Sequence, residues 1–134
     1  MLQTGIKGNR EIVVTQELTA QAMGSGELPV LATPAVIALA EETAWRSVAP
    51  ELEPGQGTVG TELHVEHISA TPVGMKVRCE TELTEIDRRK LTFSVVVYDE
   101  AGVAARGTHC RFIVDNEKFL ARAEKKREEA AKVQ

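Results

Sequence analysis

No stretch of this 134-residue chain approaches the ~20 apolar residues that a helix needs to cross a bilayer. Its opening residues, MLQTGIKGNREIVV, also lack the apolar core of a secretory signal. There are only two cysteines, Cys79 and Cys110, both inside strand-like runs and nowhere near a CxxC spacing. That argues against a thiol-based metal site or redox motif, and two free thiols suit a reducing cytoplasm. Positive charge is not in excess either. The formal net charge is -4 and the pI about 5.4, so no global field draws the chain to nucleic acid or anionic lipid. Internal repeats are missing, and the one low-complexity run is the AEKKREEAAK tail. What remains is ordinary for a globular protein, with 43% hydrophobic and 27% charged residues. The length fits one domain, residues 1–134, able to bury a core without metal or disulfide. The expectation is a soluble cytoplasmic domain with no metal, no cofactor, and no nucleic-acid or membrane partner.

Residues 11–18 (EIVVTQEL) read as a short strand, and residues 19–29 as a glycine-containing loop. Thr33-Pro34 opens the first clear helix, with Thr33 as N-cap and Pro34 at the first helical position, where a missing N–H costs nothing. The helix continues through AVIALAEETAWRSVA and stops before Pro50. From Thr58 the period changes to two. Leu63, Val65 and His67 share one face, and Glu62, His64 and Glu66 the other. After a turn at 71–74, Met75, Val77, Cys79, Thr81 and Leu83 alternate with Lys76, Arg78, Glu80 and Glu82, the pattern of a half-buried antiparallel strand. A polar hairpin at 87–90 leads into LTFSVVVYD, whose valine run marks a central or doubly covered strand. Ala101-Gly102 turns the chain into VAARGTHCRFIVD, and a charged helix follows at 116–134, with Phe119, Leu120 and Ala123 able to dock. Strand, helix and four successive strands predict an α+β domain (core about 10–115) in which an antiparallel sheet curls around a central helix.

Glu41 stands out within that helix. Its same-face neighbours are Ile37, Ala38, Ala44, Trp45 and Val48, which places a carboxylate on the core-facing stripe. Burial of a lone carboxylate is costly and favours its neutral form, a property that general acid–base chemistry uses. The plain alternative is a helix-face residue paired with a basic side chain. Glu42, flanked by Arg46, faces solvent. His67 holds the inward register set by Leu63 and Val65, so it points at the same layer as Glu41. His64 is a solvated strand residue, and the face of His109 is left open. Thr33 is either a simple cap or a hydroxyl at an anion-attracting helix N-terminus. Gly57 and Gly60 are either turn and bulge residues or places where a backbone N–H can approach a substrate carbonyl.

LATPAVIALAEETA, LEPGQGTVGTELHVEHISATPVG and ARGTHCRFIVD together resemble the fluoroacetyl-CoA thioesterase-like branch of the hotdog-fold superfamily, over roughly residues 10–120. The shared motifs are a Thr opening the helix, a Glu eight residues later, GxxGT, H(x)3TP(x)G and GTH(x)R. The resemblance implies a hotdog fold, a five-stranded antiparallel sheet wrapped around a central helix, here with a C-terminal helix added. It implies hydrolysis of a small acyl-CoA to free acid and coenzyme A. The implied catalytic residues are Thr33, Glu41 and His67, and the implied substrate contacts are Gly60 and Arg111. It further implies a homodimer or dimer of dimers with active sites near the subunit interface. In the fluoroacetyl-specific enzyme the segment before the catalytic Thr is longer and carries phenylalanines. Here AQAMGSGELPVLAT has none, and Met23, Leu28, Val30 and Leu31 are the bulky candidates for a lid. Thioester hydrolysis is therefore the expectation, and fluoroacetyl specificity is not.

On this reading Glu41 attacks the thioester or activates water, His67 moves protons, Thr33 orients Glu41 or the carbonyl, and Arg111 meets the phosphates or pantetheine of coenzyme A. Arg111 has its own plain alternative, a strand-end surface charge. Trp45 and Ile37 crowd the helix and favour a short acyl group. Two other activities use similar parts: a 3-hydroxyacyl thioester dehydratase, and a non-catalytic acyl-CoA binding or sensing domain.

Overall fold

In the computed structural model, which describes residues 1–133, the inward faces of five antiparallel strands wrap one long helix. The strands are β1 (Lys7–Val13), β2 (Gln56–His67), β3 (Lys76–Asp87), β4 (Lys90–Asp99) and β5 (Gly102–Asp115). The helices are a single turn α1 (Ala20–Met23), the central α2 (Thr33–Val48) and the tail α3 (Asn116–Val133). Sheet order is β1-β3-β4-β5-β2, so β4 is central and β2 is an edge. The period-two patterns set the faces as expected. Val77, Cys79, Thr81 and Leu83 on β3 are buried, as are Leu91, Phe93, Val95 and Val97 on β4.

The helix packs closely because its inner stripe is mostly small: Ala35, Val36, Leu39, Ala40, Thr43, Ala44 and Val48. Buried Thr43 is satisfied by donating to the Leu39 carbonyl one turn back, at 2.7 Å. Toward one end of the helix, Val36, Leu39 and Ala40 meet Val77, Val95, Val97 and Ala105. Toward the other, Ala44 and Val48 meet Leu83, Leu91, Phe93 and Ile113. Burial pushes the Cys79 thiol up to about 11, so it stays protonated within this packing. Both cysteines are free.

Several boundaries differ from expectation, each for a local reason. The first strand lies at Lys7–Val13, because its register is set by pairing with β3, from Lys7 opposite Glu82 to Val13 opposite Lys76. The expected loop at 19–29 contains α1, which Thr19 caps by accepting from the Ala22 N–H at 3.1 Å. The N-cap of α2 is Ala32 rather than Thr33, which is already helical and whose hydroxyl is engaged elsewhere. The tail helix forms but does not dock. None of its described residues is buried, and Phe119 and Leu120 are exposed, since three apolar residues make too small a patch against so charged a helix. Gln134, the last residue of the expected helix, lies outside the described residues. Among the described residues no helix is long and apolar enough to cross a membrane.

Gly107 lies opposite Val65 on β2 and Val95 on β4, where the backbones of β5 and β2 approach closely. A Cβ there would strike the His64 carbonyl oxygen, with the Val65 Cα at 2.7 Å. Both are backbone atoms and cannot swing aside. Gly107→Ala is therefore expected to cost about 2 kcal/mol or more in denaturant unfolding; an unchanged midpoint would contradict this packing.

Candidate active site

Glu41 lies on the margin of the buried stripe rather than at its centre. Its side chain is 39% exposed, Ala38 and Trp45 on the same flank are also exposed, and only Ala44 and Val48 of the expected neighbours are buried. The helix turns 100° per residue, so a stripe centred on Val36, Ala40 and Ala44 leaves position 41 on its edge, facing β2 and β5. Its desolvation is accordingly partial. Glu42 pairs with Arg46 at 3.0 Å, as expected, and also with Arg10 at 2.9 Å.

What faces Glu41 is a buried guanidinium. Arg111, on the inner face of β5, is 6% exposed, neither a strand-end surface charge nor a cation open to solvent. Its Nε–H donates to Thr58 Oγ1 at 2.8 Å, Nη2 to the Thr58 carbonyl at 3.0 Å, and Nη1 to His109 Nε2 at 3.1 Å and Glu41 Oε2 at 3.5 Å. Burial works against the Arg111 charge, and the Glu41 carboxylate works in its favour. His109, whose face the sequence left open, is 1% exposed and stacked on Phe93, with ring centroids 6.1 Å apart. Burial, assisted by Arg111, holds its ring below the usual histidine range, against the opposing pull of the Glu62 carbonyl and Glu41. Gly60 completes this group. A Cβ on Gly60 would collide with Glu41 Oε2, and would meet Arg111 Nη1 at 3.2 Å and His109 Cε1 at 3.3 Å.

Thr33 and His67 form a second, separate group. The Thr33 hydroxyl and His67 Nδ1 share a 2.8 Å hydrogen bond, while His67 Nε2 is buried without a partner among the described residues. Backbone ties hold the pair in place. Ala32 N–H donates to Leu18 O at 2.8 Å and Leu31 N–H to Thr71 O at 2.9 Å, and Val30 bridges Pro72. Thr71 itself is fully buried and donates to Asp99 Oδ2 at 2.8 Å. The TP of H(x)3TP(x)G thus splices the end of β2 to the start of α2. Thr33 and His67 border a cavity of about 230 Å³ that Ser25, Val30, Leu31 and Ile68 also line. Of the expected lid residues, Val30 and Leu31 reach this cavity, whereas Met23 and Leu28 are exposed. Trp45 and Ile37 do not line it. Trp45 lies instead under the Arg46 guanidinium, 4.9 Å away.

The two groups do not meet within one chain. Thr33 and Glu41 are eight residues apart on α2, roughly 12 Å along the axis. Gly60 and His67 are seven residues apart on β2, roughly 20 Å. Thr33 does not reach Glu41 within the chain, and the expected Glu41–His67 partnership has no hydrogen bond among the described residues. Among those residues no group of three or more His, Cys, Asp or Glu could hold a metal. Chemically, one end offers a carboxylate braced by a cation, and the other an imidazole whose tautomer a hydroxyl can set.

A sequence model of the fluoroacetyl-CoA-specific thioesterases matches residues 14–117. The fluoroacetyl-CoA thioesterase of Streptantibioticus cattleyicolor is 38% identical over 97 residues, 72% of this chain and 70% of that protein. A solved structure of fluoroacetyl-CoA thioesterase superposes with a TM-score of 0.88 at 32% identity, covering 94% of this chain and 98% of that one. A thioesterase superfamily member from Thermus thermophilus gives a TM-score of 0.86 at 27% identity, covering 97% and 98%.

Because the atom nearest a Cβ at position 60 is the far end of a flexible side chain, Gly60→Ala is expected to fold. Stability should change by no more than about 1 kcal/mol, with the Glu41 carboxylate displaced from β2 in the crystal structure. Unfolding of the variant, or a carboxylate left in place, would contradict this role for Gly60.

Proposed function

The chain belongs to the fluoroacetyl-CoA-specific thioesterase family, and from that premise we propose that its two half-sites work together across a homodimer on a small acyl group. The reaction is hydrolysis of an acyl-CoA thioester to the free acid and coenzyme A, which sets aside the dehydratase and the non-catalytic sensor. Water adds to the carbonyl carbon, the C–S bond breaks, and the leaving thiolate takes a proton.

Glu41 supplies the carboxylate, either removing the proton from attacking water or attacking the carbonyl itself to give an anhydride that water then opens. With the Thr33 hydroxyl donating to Nδ1, His67 carries its proton on Nε2 and can give it to the departing sulfur. Gly60 and Arg111 border the acyl end of the substrate. Val30, Leu31, Ala20 and Ser25 leave a modest cavity with no aromatic wall, which suits a short acyl chain without selecting a fluorinated one. Two free cysteines fit a reducing cytoplasm.

The observation that carries the dimer is the separation of the half-sites along an unpaired edge strand. β2 has a partner on one side only, and the exposed flank of α2 beside it holds Ala38, Glu41 and Trp45. Twofold antiparallel pairing of β2 with its copy sets the Gly60 end of one strand beside the His67 end of the other. Each complete site then takes Glu41, Gly60 and Arg111 from one protomer and Thr33 and His67 from its partner.

Complementation tests this reading. Glu41→Ala and His67→Ala homodimers should each be nearly inactive in thiol release from short acyl-CoAs. Co-expressed in equal amounts, they should regain about a quarter of wild-type activity, because half the dimers are mixed and each mixed dimer has one intact site of two. A mixture no more active than its parents would overturn the shared site.

A further inference from the structure

His109 is used by none of the steps above, yet it is a nearly inaccessible titratable ring touching the group that holds the reactive carboxylate. Its tautomer follows from its partners. Nδ1 lies 2.9 Å from the Glu62 carbonyl oxygen, which can only accept, so Nδ1 carries the proton. Nε2 lies 3.1 Å from Arg111 Nη1, which can only donate, so Nε2 presents its lone pair. A second proton on this ring would point at a guanidinium.

Three of the four Arg111 contacts, at 2.8 to 3.1 Å, go to groups on the sheet: two on Thr58 and one on His109. The fourth, to Glu41 at 3.5 Å, is the longest and the only one to a helix residue. The sheet therefore sets the guanidinium, and the carboxylate follows it. Nη1 has two hydrogens, and His109 and Glu41 each face that nitrogen. With one hydrogen drawn to His109, the other is left for Glu41 Oε2, beside Gly60, and Oε1 makes no hydrogen bond among the described residues.

We propose that His109 is a positioning residue: its neutral ring, anchored on the Glu62 carbonyl, aims Arg111 Nη1 so that Glu41 is held by one oxygen and presents the other to the thioester. This rests on Glu41 as the reactive carboxylate. The GTH(x)R motif then has a physical reading, with Gly107 letting β5 press against β2, His109 accepting, and Arg111 donating to the carboxylate.

Three substitutions separate positioning from mere filling of the space beside Phe93. In His109→Gln the amide oxygen reaches the Nε2 position and can still accept from Arg111. In His109→Asn the amide nitrogen takes the Nδ1 position, keeping the Glu62 bond but losing the acceptor. His109→Leu keeps volume and loses both. The expected result is kcat within about 5-fold of wild type for the Gln variant, and about 10- to 100-fold lower for Asn and Leu, with KM changed less than about 3-fold throughout. Asn equal to or better than Gln, or all three alike, would overturn the proposal. Glu41→Ala, assayed alongside, keeps the failures apart: if it remains active the carboxylate reading falls, and if it is inactive the ranking judges His109 alone. Should the variants not fold, nitrogen NMR of the wild-type imidazole decides. A neutral ring protonated on Nδ1 at pH 7 supports the proposal, and a cation or the Nε2–H tautomer overturns it.

Discussion

A guanidinium inside a sheet is expensive to place, and the burial of Arg111 organises the rest of this structure. Stripped of water, its N–H groups need acceptors and its charge needs an opposite one, at a penalty of several kcal/mol if they are missing. Thr58 provides a hydroxyl and a carbonyl, His109 a ring nitrogen, and Glu41 a carboxylate. Gly60 gives the carboxylate room by having no side chain of its own. Each of these choices looks arbitrary in the linear sequence and follows directly once the cation is in place. A carboxylate fixed at one oxygen by a buried cation is held in one orientation, as the role proposed for Glu41 requires.

The same geometry keeps the two groups of polar residues apart within one chain. α2 separates Thr33 from Glu41 by two turns, and β2 separates His67 from Gly60 by more than half of its length. The splice of Leu31 to Thr71 fixes the first end, and Arg111 fixes the second. Both groups are therefore tied in place by the same helix and strand that separate them, which is why the proposed site needs two copies of the chain. The absence of aromatic residues from the segment before Thr33 falls at the Thr33–His67 end, where Val30 and Leu31 form the wall.

Much of the fold was legible because its signals are local. Alternation placed Leu63, Val65 and His67 inward, and Val77 to Leu83 likewise, while the valine run of β4 marked the central strand. Glu41 was recognisable as out of place, but its face was misjudged. Helical neighbours show which residues share a side, and they do not show where the sheet's edge falls. Thr33 fitted an N-cap by type, and only the backbone shows that Ala32 caps while the hydroxyl turns to His67. The face of His109 stayed open because the residues sharing its register, Val103, Ala105 and Gly107, include only one large apolar side chain, and an irregularity between Val97 and Tyr98 turns that one, Val103, outward. The Arg111–Glu41 pair spans 70 residues, and no local pattern signals a bond of that range.

On the proposed reading the buried guanidinium serves the carboxylate and is not simply a contact for coenzyme A. Steady-state kinetics of Arg111→Met with a short acyl-CoA distinguishes the two roles, since an unbranched apolar side chain replaces the aliphatic stem and removes the donors. The expected result is kcat lowered about 100-fold with KM changed only a few-fold. A raised KM with kcat intact would contradict it and return Arg111 to the role of a substrate anchor.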